Sequence, residues 1–431
     1  MESQEPRAIL VPQKLNFTCQ ACGGCCRAFS PIVTEANVAR LSERDWGATR
    51  PRFAGRAMTE PLPDGRTRFT SIDGACIFLD DDNLCAIHKE LGAEAKPWMC
   101  QTFPYRAVDT PDGLVASLDF ACPTVVADDG APLEEQIDEI RRLVTVVPPG
   151  QVMGASRGAA GPPRMGMQAG TANAGAVRAR PGVPLAWADY LALEAGLLAI
   201  LHEDARPLTE RMLLIDSLAT QAADHAEPGA LAAWISTLQA KSWEPLAAPA
   251  GPKLSAMRQR ALLAPALATI EGTARRRQGA QTPAGERVGL ALALVAAKKT
   301  IPLPSAEASL PLARMLRTRF AQDDPGLASL FSRYIEAYIV RKDLIERTTV
   351  TLGAGYLALM FGVVRWYAVA RAAMAERAAA TEADLGYAIM LAEQGLSHAE
   401  GFHAPYLGRI LSVLFSRVTP ARSLYPSPYP A

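Results

Sequence analysis

The sequence predicts an α-rich α+β protein, in which a small cysteine-rich domain with short β-hairpins precedes an all-α domain. Two observations support this prediction. All eight cysteines of the 431 residues lie before residue 123, among repeated turn signals. From residue 185 onward the chain is rich in alanine and leucine, and its apolar residues recur at helical spacing. We therefore predict a cysteine-cluster domain at residues 14–147, a linker at 148–184 and an all-α domain at 185–417.

In the cysteine-cluster domain, glycine-containing turns separate short extended runs. Pro111-Asp112-Gly113 joins residues 105–109 to residues 114–120. Proline presets one position of such a turn, and glycine accepts a positive φ at another. These residues predict a β-hairpin that ends next to Cys122. Pro63-Asp64-Gly65 marks a similar turn earlier in the domain.

A second hairpin is predicted to pair residues 76–79 with residues 84–87 around an acidic turn. Strand alternation would then place Cys76 and Cys85 on one face, close enough to bind a common centre. In the alternative geometry a helix begins directly after Cys85, and Cys85 and His88 then share a face. The sequence leaves both geometries open, and only the second makes His88 an accessible metal ligand.

The segment at 148–184 contains Pro148-Pro149-Gly150, Gly161-Pro162-Pro163 and Pro181-Gly182 in an alanine- and glycine-rich background. A segment of this composition buries too little apolar surface to offset the entropy lost on ordering. We therefore predict a flexible linker or a long loop here.

The C-terminal part is predicted to be all-α, with prolines at the edges of its helices. The 17 residues from Thr348 to Val364 are uncharged and include three glycines and three threonines. A membrane span needs ~20 predominantly apolar residues, so we expect a buried core helix and no membrane span. The predicted helices are residues 185–203, 208–224, 228–241, 254–278, 284–300, 309–321, 326–346, 349–377 and 382–400.

The density of thiols near the N-terminus calls for a shared role, and disulfides and metal ligation are the two candidates. Residues 1–7 are polar and acidic, without the basic and apolar regions of a secretory signal. We therefore expect a cytoplasmic protein. Because thiols stay reduced in that compartment, paired Cys-x2-Cys spacings favour metal ligation over disulfides.

The run Cys19-x2-Cys22-x2-Cys25-Cys26 can wrap successive backbone turns around a soft metal or a cluster. We expect the adjacent Cys25 and Cys26 to point apart, so that one serves a second centre or packs as a small hydrophobe. Two four-ligand sites, or one cluster with spare cysteines, are both compatible with the sequence. The candidate metal ligands are Cys19, Cys22, Cys25, Cys26, Cys76, Cys85, Cys100 and Cys122, with His88 in reserve.

The identity of the metal stays open at this point. Sites of four cysteines, or of three cysteines and a histidine, suit zinc, and four cysteines also suit iron–sulfur clusters. Cys122-Pro123 has the Cys-Pro form that ends bacterial ferredoxin motifs. The x2–x2 spacing of Cys19, Cys22 and Cys25 differs from the x3–x2 spacing of radical S-adenosylmethionine enzymes.

Charge excludes two classes of partner. The chain carries 44 basic and 44 acidic residues, for a net charge of zero. Because no field of one sign surrounds it, we expect neither nucleic acid nor an anionic membrane as a partner.

The segment Phe17-Thr-Cys-Gln-Ala-Cys-Gly-Gly-Cys-Cys-Arg27 resembles the signature of the CxxCxxCC cysteine-cluster proteins, the YkgJ-type zinc- or iron-chelating family. Cys76-Ile-Phe, Cys85-Ala-Ile-His88 and Pro97-Trp-Met-Cys100-Gln-Thr-Phe-Pro104 follow in the family's order, within residues 15–125. The resemblance implies a zinc or iron centre that is built from these cysteines.

A narrower resemblance is to the flagellin lysine-N-methylases. Phe120-Ala-Cys122-Pro123 is similar to their second cysteine-proline element, and residues 334–370 and 383–398 are similar to their C-terminal helical pattern. This resemblance implies an iron–sulfur centre, 4Fe–4S in type, and methyl transfer from S-adenosylmethionine to lysines of a protein such as flagellin. The Gly/Pro-rich segment at 148–184 departs from a compact version of that pattern.

Two functions therefore stay open: an S-adenosylmethionine-dependent protein-lysine N-methyltransferase, and a non-enzymatic zinc- or iron-chelating or metal-assembly protein. The sequence has no Gly-x-Gly-x-x-Gly between a strand and a helix, and Gly353-Ala-Gly355 lies inside an apolar helical run. Catalytic and cofactor-binding residues consequently stay unassigned, and we expect any S-adenosylmethionine pocket between the two domains. The extent of the helices favours an enzyme or a partner-binding protein.

Overall fold

A computed structural model describes residues 8–62, 65–148, 177–246, 256–277, 284–296, 300–346 and 349–397. Within these ranges, short strands and helices form the N-terminal part, and longer helices form most of the C-terminal part. The predicted α-rich α+β class is confirmed.

The cysteine-containing part alternates short strands with short helices, as its turn-rich sequence predicts. Its strands are β1 (Ile9–Leu10), β2 (Ile32–Val33), β3 (Thr59–Pro61), β4 (Thr67–Phe69), β5 (Ser71–Ile72), β6 (Ala75–Cys76), β7 (Tyr105–Thr110) and β8 (Gly113–Leu118). Its helices are α1 (Gly24–Ala28), α2 (Glu35–Ser42), α3 (Ala86–Leu91), α4 (Trp98–Thr102), α5 (Pro123–Ala127) and α6 (Ile137–Thr145).

Strands β7 and β8 form the hairpin that was predicted at residues 105–109 and 114–120, and this prediction is confirmed. Gly113 is required at the turn: its φ is +146°, and an added Cβ would lie 2.6 Å from the backbone oxygen of Ala8. Strand β1 pairs with β8 in parallel and completes a three-stranded sheet. Cys122 follows β8 at the start of α5.

The second predicted hairpin has a different register from the one expected. Asn83 adopts a φ of +65°, and Leu79 pairs with Cys85, where the sequence predicted a Phe78–Cys85 pair. A shift of one residue turns a side chain to the opposite face of a strand. The predicted strands at 76–79 and 84–87 are therefore both wrong: β6 ends at Cys76 and pairs with β5, and helix α3 begins directly after Cys85, as in the alternative geometry.

The C-terminal part contains two short hairpins and the long helices. Its strands are β9 (Arg178–Arg180), β10 (Val183–Pro184), β11 (Thr300–Leu303) and β12 (Ala308–Pro311). Its helices are α7 (Trp187–Leu201), α8 (Leu208–Gln221), α9 (Ala230–Ala240), α10 (Ala256–Arg277), α11 (Ala284–Val295), α12 (Leu312–Met315), α13 (Pro325–Val340), α14 (Asp343–Glu346), α15 (Val350–Met374) and α16 (Glu382–Ala392), which continues into a π-helical turn at Glu393–Ser397.

Most of the predicted helices are confirmed, and the one at 309–321 is wrong. Residues of that segment form β12 and the four-residue α12, and β12 pairs antiparallel with β11. Pro311 accounts for the difference, because the residue before a proline is pushed toward extended conformations. The predicted helix at 284–300 is too long, because α11 ends at Val295 and β11 begins at Thr300. The end of the predicted helix at 382–400, from residue 398 on, lies outside the described residues.

One large apolar core joins the β7–β8 hairpin to the helices. It contains Leu118 and Phe120 together with residues from α7, α13 and α15. The ring of Phe120 packs edge-on against Tyr334 in α13, with 5.4 Å between the ring centroids. The domain boundaries at 147 and 185 stay a prediction, and so does the C-terminal limit at 417, which lies outside the described residues.

Residues 149–176 of the predicted linker lie outside the described residues. The end of that segment forms the β9–β10 hairpin. Ala179 of this hairpin is fully buried, and its backbone oxygen accepts a hydrogen bond of 2.9 Å from the hydroxyl of Thr351 in α15. The hairpin therefore contacts the first turn of the longest apolar helix.

Helix α15 is long and apolar enough to pass the length and composition test for a membrane span. Within the described residues, 94% of its most apolar 18-residue window is buried inside the protein. The helix thus lies in the core, as the sequence predicted. Its close contact with α14 depends on Gly353, where an added Cβ would lie 2.0 Å from the backbone oxygen of Leu344.

Replacing Gly353 with alanine should destabilise the protein by roughly 1–3 kcal/mol, because the new methyl group overlaps backbone atoms of Leu344 that have no room to move. The higher helix propensity of alanine, about 1 kcal/mol, offsets only part of this cost. Denaturant unfolding of both proteins measures the difference. Gly285 in α11 is the matched control, since nothing lies within 4 Å of an added Cβ there, and alanine at that position should not destabilise.

Candidate metal centre

Six cysteines from five separate parts of the fold lie near one another. Cys25 and Cys26 belong to α1, Cys76 to β6 and Cys100 to α4, and Cys85 and Cys122 directly precede α3 and α5. All eight cysteines lie in the described part of the chain, and none of them forms a disulfide. We call Cys25, Cys26, Cys76, Cys85, Cys100 and Cys122 the inner thiols.

Helix α1 directs two adjacent cysteines to the same place. Gly23 precedes the helix with a φ of +68°, so the chain can turn sharply from Cys22 into α1. The sulfur atoms of Cys25 and Cys26 are 4.0 Å apart and share a hydrogen bond. The expectation that these two side chains point apart is therefore wrong for their sulfur atoms, although Cys26 packs against one apolar cluster and Cys25 against another.

Five of the six inner thiols belong to, or pack against, three apolar clusters. Cys122 belongs to the large core that contains the helices. Cys76 belongs to a second, aromatic cluster of the N-terminal part, against which Cys26 and Cys85 pack. Cys25 packs against a third, small cluster. A metal bound by these thiols would therefore tie together side chains from three hydrophobic clusters, two of which Phe103 already joins.

Burial and mutual repulsion raise the pKa values of four inner thiols, which are Cys26, Cys76, Cys85 and Cys122. The hydrogen bond with Cys25, followed by burial, raises the pKa of Cys26 far above its usual value, and Cys76 and Cys100 add to the effect. Burial also raises the pKa of Cys76. Burial raises the pKa of Cys122 to about 11, although N–H groups at the start of α5 oppose the rise. Without a metal these thiols are thus protonated at neutral pH.

The donor set fits a thiophilic metal in kind, and one pair of its sulfur atoms already has the spacing of a metal site. Two thiolates of a tetrahedral zinc site are about 3.8 Å apart, since each Zn–S bond is ~2.3 Å, and the Cys25 and Cys26 sulfurs are 4.0 Å apart. Among the described residues, no three His, Cys, Asp or Glu side chains are already grouped closely enough to hold an ion. Because thiolates rather than thiols are the ligands, binding must remove protons and draw the sulfurs together.

The remaining candidate ligands are exposed. Cys19 and Cys22 lie at the surface, in the loop before α1. The sulfur of Cys22 accepts a hydrogen bond of 3.4 Å from the N–H of Gly24. His88 is also exposed, in the first turn of α3. As ligands these three residues stay a prediction.

Ion pairs fix the turn that positions Cys85. The carboxylate of Asp80 accepts hydrogen bonds from Arg50 Nε at 2.9 Å and Lys89 Nζ at 3.1 Å, and Lys89 also contacts Asp82 at 2.7 Å. Burial tends to raise the pKa of Asp80, but these cations keep it below its usual value. No local sequence pattern indicates this support, because Arg50 lies thirty residues before Asp80.

Residues 118–122, which we call the Cys122 segment, are held in place from two sides. Asp119 accepts a hydrogen bond from the N–H of Ala121 at 2.9 Å, and the N–H of Cys122 donates to the backbone oxygen of Asp119 at 3.1 Å. On the other side, Gln394 donates to the backbone oxygen of Ala121 at 3.0 Å. Asp119 is a residue type that stabilises turns in this way, so sequence could have indicated it. Gln394 left no sequence signal, since it lies 273 residues from its partner.

Zinc affinity should rise steeply between about pH 6 and pH 8. The raised pKa values of Cys26, Cys76, Cys85 and Cys122 keep these four thiols protonated over this range, so each of them that binds zinc as a thiolate releases one proton. The apparent association constant should therefore rise about tenfold per pH unit for each proton released. Competition against a zinc chelator at several pH values measures how steeply the association constant rises with pH. The number of protons released into weak buffer gives the number of thiols that lose a proton when zinc binds. An affinity that is independent of pH would contradict thiolate ligation.

Comparison with known proteins agrees with the geometry. Residues 18–123, which include all eight cysteines, match the model of the CxxCxxCC family, whose description is "Putative zinc- or iron-chelating domain". The metal-chelating class that the cysteines indicated is therefore confirmed for this part of the chain.

Three curated proteins are similar over a shorter stretch. The flagellar biosynthetic protein FliU of Salmonella muenchen is 36% identical over 63 residues, which is 15% of this chain and 37% of that protein. Lysine-N-methylases of Salmonella typhimurium and Salmonella choleraesuis are also 36% identical over 63 residues, covering 16% of their length. The chain thus matches only a minor part of each relative. No solved structure matches the chain.

Proposed function

We propose that the inner thiols bind one metal centre, and that this centre folds the cysteine-containing part and attaches it to the helices. The observation that carries the proposal is the proximity of six thiols from five elements, and five of these thiols belong to or pack against three apolar clusters. A bound metal adds binding free energy directly to folding free energy. Such a centre would supply stability that short strands and helices lack on their own.

The centre we propose is zinc or an iron–sulfur cluster. Both accept four thiolates, so two of the six inner thiols would remain beside a single centre as hydrogen-bond partners or spare ligands. The resemblance to flagellin lysine-N-methylases favours a 4Fe–4S cluster among these choices. Thiols of this kind persist in reducing compartments, which agrees with the proposed cytoplasmic location.

Anaerobic purification followed by analysis of iron, acid-labile sulfide and zinc tests the metal. Iron and sulfide in equal amounts, with visible absorption that bleaches on reduction, would support the cluster. Stoichiometric zinc without sulfide would exclude it and leave a zinc site. A protein that contains neither metal, and that binds neither after anaerobic reconstitution, would overturn the proposed function.

We further propose a protein-lysine N-methyltransferase activity that uses S-adenosylmethionine. The observation in favour is the 36% identity to two proteins named lysine-N-methylase, in a chain that also has an extensive helical part. In this reaction the methyl group leaves the sulfonium sulfur and bonds to the lysine nitrogen. The lysine loses one proton, and S-adenosylhomocysteine is released. Flagellin is the substrate we propose.

Calorimetry with S-adenosylmethionine and mass spectrometry of flagellin test this activity. Purified protein incubated with the cofactor and unmethylated flagellin should produce methyl-lysine. The same reaction with Cys26→Ser protein shows whether the activity depends on the metal centre. If the metal-loaded protein neither binds the cofactor nor methylates flagellin, the alternative of a non-enzymatic chelator or metal-assembly protein is favoured.

A further inference from the structure

Two side chains of the helical part donate hydrogen bonds to the backbone that carries Cys122. Gln394 Nε2 lies 3.0 Å from the backbone oxygen of Ala121, and Arg341 Nη1 lies 3.3 Å from that of Leu118. Both contacts are buried, and they join residues 273 and 223 positions apart. The backbone that leads to Cys122 is therefore fixed by residues from a distant part of the sequence.

A buried network fixes the position of Arg341. Its Nη2 atom lies 2.6 Å from a carboxylate oxygen of Asp343 and 3.4 Å from one of Glu393. The same oxygen of Glu393 accepts a hydrogen bond of 2.9 Å from the hydroxyl of Tyr334. Since Glu393 precedes Gln394 in the π-helical turn, both donors to the Cys122 segment belong to one connected set of contacts.

The Cys122 segment is also rigid in itself. Asp119 accepts a hydrogen bond from the N–H of Ala121, so the carbonyl of Ala121 points away toward Gln394. Phe120 is fully buried against the ring of Tyr334. A shift of the π-helical turn or of the end of α13 would consequently move the backbone next to Cys122.

We infer that Gln394 and Arg341 are positioning residues for Cys122, and that they couple metal binding to the packing of α13 and the π-helical turn. Groups that orient metal ligands typically contribute 10–100-fold to metal affinity. The coupling is reciprocal, so that a metal which prefers the ordered Cys122 segment also stabilises the helices that hold it. This inference depends on the proposed metal function.

Replacing Gln394 with methionine tests the positioning role, because methionine keeps the length of the side chain and removes the N–H donor. We expect the Zn²⁺ affinity, measured by competition with a chelator, to fall at least tenfold. Tyr367→Phe is the matched control, since it removes a buried hydrogen bond of 2.6 Å to Glu271 elsewhere in the helices. The control should change Zn²⁺ affinity by less than about twofold. Equal affinity in Gln394→Met and wild type would overturn the inference.

Hydrogen exchange of the wild-type protein provides a second measurement that does not need the variant to fold. Addition of Zn²⁺ to metal-free protein should slow exchange in residues 334–341 and 393–397, besides the cysteine-containing segments. Slower exchange at the cysteines alone would overturn the coupling while leaving the metal function intact. If the wild type binds no Zn²⁺ at all, it is the zinc function that fails, and the same two measurements on protein loaded with iron and sulfide then decide the coupling.

Discussion

Replacing Cys26 with serine should abolish stoichiometric metal binding, with a loss of affinity of at least about 100-fold. Cys26 contacts Cys25 directly, and Cys76 and Cys100 influence its ionisation. The loss of a metal ligand should lower the affinity by more than the 10–100-fold that is lost when a group that only orients ligands is altered. Structural zinc contributes ~10–16 kcal/mol of binding free energy in small zinc domains, so the loaded wild-type protein should also be much more resistant to unfolding. Metal analysis and limited proteolysis of residues 18–123 measure both effects.

Ala28→Ser is the matched control for this substitution. Ala28 is a buried residue of the same helix, and its change to serine adds a hydroxyl group without removing a thiol. It should leave metal content unchanged, with at most a modest loss of stability. Full metal content and unchanged proteolysis in Cys26→Ser protein would falsify the assignment of Cys26 as a ligand and make it one of the two spare inner thiols.

Short sequence patterns predicted those elements whose structure depends on residues close by in the sequence. The Pro-Asp-Gly turn at 111–113 predicted the β7–β8 hairpin, because glycine at that turn accepts the positive φ that the structure requires. The uncharged run from Thr348 predicted the buried helix α15. The cysteine spacing predicted a metal site, since thiols of this density in a reduced protein need a common partner.

Register and orientation were harder to predict, because small changes in backbone angles decide them. The turn before Cys85 depends on a positive φ at Asn83, which asparagine tolerates but does not require. The directions of Cys25 and Cys26 depend on how α1 packs against other elements such as β6, and the sequence of α1 alone does not specify that packing.

Contacts between segments that are far apart along the chain could hardly be predicted from the sequence. Gln394 and Arg341 hold the Cys122 segment across more than 200 residues. One signal was present: Arg341-Lys342-Asp343 is a charged triplet between apolar helices, and all three residues are buried. Buried charges need partners, so this triplet predicts an internal ion network but not the identity of its partners.

The largest effect on stability in the helical part is expected from Arg341→Met. Arg341 is buried between the carboxylates of Asp343 and Glu393, and it also donates to the backbone oxygen of Leu118. Removing the cation leaves two buried carboxylates without their main partner, which typically costs about 3–5 kcal/mol. Urea unfolding measures the change. Arg206→Met is the control, because Arg206 pairs with Glu203 and Glu210 near the surface and should cost about 1 kcal/mol or less.

A compensating variant separates charge from packing in this prediction. Adding Asp343→Asn and Glu393→Gln to Arg341→Met removes both buried negative charges and changes the side-chain volumes little. If uncompensated charge causes the loss, the triple variant should recover a substantial part of the 3–5 kcal/mol. If it stays as unstable as Arg341→Met, the contribution of Arg341 must instead come from packing and from its hydrogen bond to Leu118. Even then the metal affinity should stay low, because the triple variant does not restore the donor that holds the Cys122 segment.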